Sequence, residues 1–133
     1  MPYLFQFDSV HSVLFCTMFG HLTDHELLEY YKAAARYAQK TDPAAAILDL
    51  TYAGPIEISS ATVKALARSD PALPDPLRPR FIVAPADHLY AMARMYQMVG
   101  EATRPRLRVV RSISEAYAAL GIQNPHFEAI PET

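Results

Sequence analysis

Eleven prolines divide this 133-residue chain, and they constrain its fold more than any other feature. Proline has no N–H to donate and clashes inside helices and central strands, so regular elements must fit between the prolines. The uninterrupted stretches alternate between a two-residue and a helical period. Tyr3 to Phe7 alternates as a strand, Asp8-Ser9 can turn the chain, and Val10 to Phe19 reads as a second strand. So short a link implies an antiparallel hairpin, closed by Gly20. Thr23-Asp24-His25-Glu26 is a capping box, and Leu27, Leu28, Tyr31, Ala34, Ala35 and Ala38 follow at helical spacing to about Lys40.

Beyond Pro43 the same logic gives a buried strand over Ala45 to Leu50 and a loop from Thr51 to Ile58. A helix capped by Ser59 or Ser60 then runs to about Arg68. Ser69 to Arg80 holds four prolines and reads as a long connection within one domain. Phe81 to Ala84 is a strand, and Asp87 caps a helix from about His88 to Ala102. Leu107 to Val110 is the last strand, and Ser112-Ile-Ser-Glu115 caps a helix ending at Gly121. The sequence therefore predicts one α/β domain over residues 1–121, with a tail over 122–133. Its mixed sheet has about five strands, an antiparallel hairpin followed by strand-helix units, flanked by about four helices.

Composition excludes several classes. With 51% hydrophobic residues and a formal charge of −2, the chain buries a core and is not disordered. One cysteine rules out a disulfide framework within the chain. The longest mostly apolar run, Ser12 to Gly20, is shorter than the ~18 residues of a membrane span. The start, Met-Pro-Tyr-Leu-Phe, has no basic secretory signal, so a cytoplasmic setting is expected. Four glycines leave no phosphate-cradling loop, and there is no Gly-x-Ser-x-Gly elbow.

Gly20-His-Leu-Thr-Asp-His-Glu-Leu27, Ile47-Leu-Asp-Leu50, Val83-Ala-Pro-Ala-Asp87, Tyr90 to Tyr96 and Val110 to Leu120 carry a resemblance in their order and spacing. The chain resembles the STAS fold of anti-sigma-factor antagonists, and more narrowly the STAS-like (SpoIIAA-like) family of small bacterial proteins. That resemblance spans Met1 to about Gly121. It implies that Glu57 to Ala61 corresponds to the Asp-Ser-Ser-Gly segment whose serine is phosphorylated. Here Ile58 stands for the aspartate and Ala61 for the glycine. Phosphate at Ser59 would face a helix N-terminus, a position worth ~0.3–1 kcal/mol to an anion. As plain residues, Ser59 and Ser60 are helix caps.

Other candidates have a plain reading and a functional one. Cys16, among Leu14, Phe15 and Met18, reads as a small buried hydrophobe. His21 and His25 are four apart but straddle a helix start, so no metal site is expected. Asp49 near a strand end either pins the following loop or serves a ligand. A small-molecule site belongs at the C-terminal edge of the strands, where Tyr52, Ser59, Asp87, His88 and Arg94 can converge.

Seven arginines fall between Arg78 and Arg111 against Asp87 and Glu101. They read as an anion site, a surface for an acidic partner, or charges protecting an edge strand, without a nucleic-acid motif. Ala91, Met95, Met98 and Ala102 form a second apolar stripe on their helix, either buried or, through Ala91, Met95 and Met98, the interface of a homodimer. The expectation is a non-catalytic binding or regulatory module recognising a protein partner or small ligand, with no cofactor. The alternatives are an enzyme using Asp87, His88 and Ser59, or a carrier of an apolar, lipid-like ligand, which the resemblance implies. A large apolar cavity favours the carrier, and a deep cleft holding His88 against an acid favours the enzyme.

Overall fold

A computed structural model describes residues 3–130. The predicted hairpin forms from β1 (Tyr3–Asp8) and β2 (Val13–Met18). Its link is longer than expected because the Asp8 carboxylate accepts from the N–H groups of Val10 and His11, holding Ser9 to Ser12 out of the strand. Every residue of β2 is buried, as its central place in the sheet requires.

The remaining elements are β3 (Gly20–Thr23), α1 (Asp24–Thr41), β4 (Ala45–Asp49), β5 (Ala53–Glu57), α2 (Ser60–Arg68) and β6 (Arg80–Val83). They continue as α3 (Asp87–Val99), β7 (Leu107–Val110), α4 (Ile113–Leu120) and β8 (Glu128–Ala129). The main sheet has the order β7-β6-β4-β2-β1-β8. The strands β2, β4, β6 and β7 are parallel, while β1 and β8 run antiparallel to their neighbours.

All five predicted strands and four predicted helices are present. Among the described residues three further strands join them. β3 and β5 form a separate parallel pair, tied by a 2.9 Å bond between His21 Nε2 and Glu57 Oε1. β5 lies in what was predicted as a loop, since Ala-Gly-Pro-Ile-Glu lacks a strand's composition; a two-stranded sheet tolerates its proline because both strands are edges.

Local signals hold at the helix starts. Thr23 Oγ1 accepts from Glu26 N–H and Ser112 Oγ from Glu115 N–H, each at 3.3 Å. The return bond of the second box lands one residue early, from Arg111 N–H to Glu115 Oε2 at 3.0 Å. Gly121 ends α4 at φ +68°, a left-handed conformation that glycine adopts without Cβ strain. Asp87 corrects the prediction. Ala86 is the N-cap of α3, without a side-chain bond, and Asp87 lies inside the first turn, where Arg111 Nη1 donates to it at 2.7 Å. The helix ends at Val99 rather than Ala102, with Gly100 N–H bonded to the Tyr96 carbonyl.

The sheet's two-residue period sorts the core into two layers. Val13, Phe15, Ile47 and Val83 pack with Ala116 of α4 on one face. The tail belongs to that layer: Ile122 is buried, and Phe127 lies 4.8 Å from Phe15, ring centre to ring centre. Leu14, Cys16 and Met18 meet Ala33, Ala34 and Ala38 of α1 on the other face, where Ile82 meets Leu89 and Ala93 of α3.

Candidate functional site

The residues placed at the C-terminal edge of the strands separate into unconnected groups. Asp49 is buried and accepts from both the N–H and the hydroxyl of Thr51, which pins the turn after β4. Tyr52 is 65% exposed, and its carbonyl accepts from Gly20 N–H at 3.1 Å. Asp87 bonds Arg111 rather than the adjacent His88, and both His88 and Arg94 are exposed on α3. The acid–imidazole pair of the enzyme alternative is therefore not formed. Ala91 and Met98 are exposed and Met95 is half-buried, so the second stripe of α3 reaches the surface in part.

Ser59 is the N-cap of α2, its Oγ accepting from Thr62 N–H at 3.2 Å. It also meets a carboxylate that sequence reasoning missed. Asp24 Oδ1 accepts from Ser59 N–H at 2.8 Å, and Oδ2 accepts from its hydroxyl at 2.9 Å. Bonding to the Ser59 N–H, ahead of the other contacts, holds the Asp24 carboxyl below the usual range. A phosphate on Ser59 would thus face an ionised carboxylate, with Ser60 exposed beside it. The Ser59→Ala variant is expected to lose about 1 kcal/mol of stability by urea denaturation, the cost of a cap. An unchanged midpoint would contradict that role.

A second feature lies deeper. An apolar cavity of about 170 Å³ lies between the sheet and the helices α1, α2 and α3. Leu14 and Leu48 line its sheet side, with Ala34, Leu66 and Ala93 on the helices. The alanines create the space, because short side chains stand opposite the sheet where leucines would fill the layer. Its volume slightly exceeds the roughly 150 Å³ of an apolar cavity known to take up benzene.

Arg80, Arg104, Tyr31 and Tyr96 also line this cavity. Arg104 is 2% exposed, and its guanidinium donates to the carbonyls of Leu66, Ala67 and Ser69 at the end of α2, and to the Tyr31 hydroxyl. Arg80 is 8% exposed and donates to the carbonyls of Leu73, Asp75 and Arg78. Burial lowers the Arg80 pKa, and the nearby charge of Arg104 adds to the effect. Burial also raises the Tyr96 hydroxyl to about 12, so it is a neutral donor at neutral pH. Cys16 lines the cavity too, and burial pushes its thiol upward, away from nucleophilic thiolate.

Among the described residues there is no group of three or more His, Cys, Asp or Glu side chains that could hold a metal ion. No helix among them is long and apolar enough to cross a membrane.

The leading antiparallel hairpin and the parallel crossovers that follow give the chain the STAS fold of SpoIIAA. Two solved structures share it. The Bacillus cell fate determinant SpoIIAA in its phosphorylated form superposes with a TM-score of 0.54 at 17% identity, covering 87% of this chain and 98% of that one. The anti-sigma factor antagonist SpoIIAA in its unphosphorylated form gives 0.53 at 14% identity, covering 90% and 99%. No family model matches the chain, and no curated protein matches it.

Proposed function

We propose that this protein is a non-catalytic STAS-like binding module that takes up a small apolar molecule between its sheet and helices α1–α3. The observation that carries this reading is the cavity of about 170 Å³, lined almost wholly by apolar side chains. Binding there needs no chemistry from the protein: a guest gains dispersion contacts that the empty space forgoes. The separation of Asp87 from His88 weighs against the enzyme reading. The regulatory side of the proposal draws on the fold shared with an anti-sigma factor antagonist. Occupancy would then adjust how α1–α3 sit on the sheet, and so what a protein partner meets.

Benzene is the simplest probe. It is expected to raise the melting temperature of the wild-type protein in a concentration-dependent way, since a ligand of the native state stabilises it. The Ala93→Leu variant, which extends a side chain into the cavity, is expected to fold and lose that response. A wild-type protein indifferent to benzene would contradict the proposal.

A further inference from the structure

The two arginines at the cavity are an unusual lining for an apolar space. Hydrogen bonding is provided for them by backbone carbonyls, but carbonyls carry no net charge. Among the described residues, neither guanidinium has a carboxylate within 4 Å; the Asp75 carboxylate bonds Arg78 Nε at 3.3 Å and acts on Arg80 only at longer range. The end of α2 contributes roughly half a negative charge at most, against two full positive charges. An unpaired buried charge is costly, so the site is complementary to an anion. Tyr96, neutral and half-buried, adds a hydroxyl donor on the same lining.

Resting on the proposed uptake of an apolar guest, we infer that the ligand is an amphiphilic monocarboxylate, its apolar tail among Leu14, Leu48 and Ala93 and its carboxylate toward Arg80 and Arg104. The volume, close to that of a benzene-binding cavity, selects a medium-length tail over a long lipid chain. The guanidinium N–H groups are largely taken by protein acceptors, so the carboxylate is drawn by net charge rather than by a bidentate fork. The alanines that open the space and the arginines that charge its edge thus act on two parts of one molecule.

Octanoate, 1-octanol and octylammonium share a tail and differ in head charge, so calorimetric titration of the wild-type protein separates the two claims. Octanoate is expected to bind about tenfold or more tightly than octanol, and octylammonium not measurably. Octanol binding as well as octanoate would overturn the carboxylate assignment and leave uptake of apolar guests standing; octylammonium binding as well would do the same. Binding of none of the three would overturn both. Arg80→Gln is expected to reduce octanoate to the affinity of octanol, with octanol binding itself reporting that the cavity is intact. An undiminished preference in that variant would remove Arg80 from the site.

Discussion

Arg104→Ala is expected to cost about 3 kcal/mol of stability, because several buried carbonyls lose their donor together. The side chain joins the end of α2 to α1, since it reaches Leu66, Ala67 and Ser69 as well as the Tyr31 hydroxyl. Truncation leaves those carbonyls without donors in a place water reaches poorly, and each such group costs about 1–3 kcal/mol. Arg104→Lys is expected to recover only part of the loss, because one ammonium cannot span the fork of a guanidinium. Urea denaturation checks both variants. A loss below about 1 kcal/mol for alanine, the net value of an ordinary hydrogen bond, would show that the network is not holding these helices.

The second large effect concerns Asp8. Its buried carboxylate receives the N–H groups of Val10, His11 and His126 and lies 2.8 Å from the His11 ring nitrogen. It therefore fastens both the β1–β2 turn and the tail. Asp8→Ala is expected to cost about 2–4 kcal/mol, as several charge-assisted bonds are lost together. It should also raise amide hydrogen exchange over residues 126–130, where the tail pairs with β1. Unaltered exchange there would show that Phe127 and β8 hold the tail unaided.

The pH dependence of the same group has a definite sign. Burial alone would raise the Asp8 pKa, but the His11 ring and the three N–H bonds outweigh it, leaving the folded value below the ordinary 3.8. A lowered carboxyl pKa stabilises the fold above the unfolded value, and the contribution is lost as pH falls through the folded one. Acid denaturation of the wild type should therefore steepen below about pH 4, and Asp8→Ala should flatten it.

What the sequence revealed and what it hid divide along sequence separation. Thr23, Ser59 and Ser112 each cap an N–H three residues on, so a short motif contains both partners. The strands β1, β2, β4, β6 and β7 were legible for a related reason: β-rich runs between prolines have few other places to go. β3 and β5 were not, since each gains its identity from the other across some 30 intervening positions. Asp24 was visible only as part of a capping box, while its bonds to Ser59 lie 35 residues away.

Arg80 and Arg104 were hidden most deeply. In a stretch rich in arginine they read as part of an anion site or of a charged edge, and nothing local marks these two of the seven as buried. The Arg104 carbonyl partners lie 35 to 38 residues earlier in the chain. The cavity follows the same rule. Ala34 and Ala38 were recognised as core-facing, but whether alanines close a layer or leave it hollow depends on what stands opposite.

Crystals pressurised with xenon test the central claim most directly, because the gas enters apolar cavities without help from hydrogen bonds or charge. The expected result is xenon density bounded by Leu14, Leu48, Leu66 and Ala93, absent in Ala93→Leu. A wild-type crystal with those side chains closed together and no xenon among them would contradict the account.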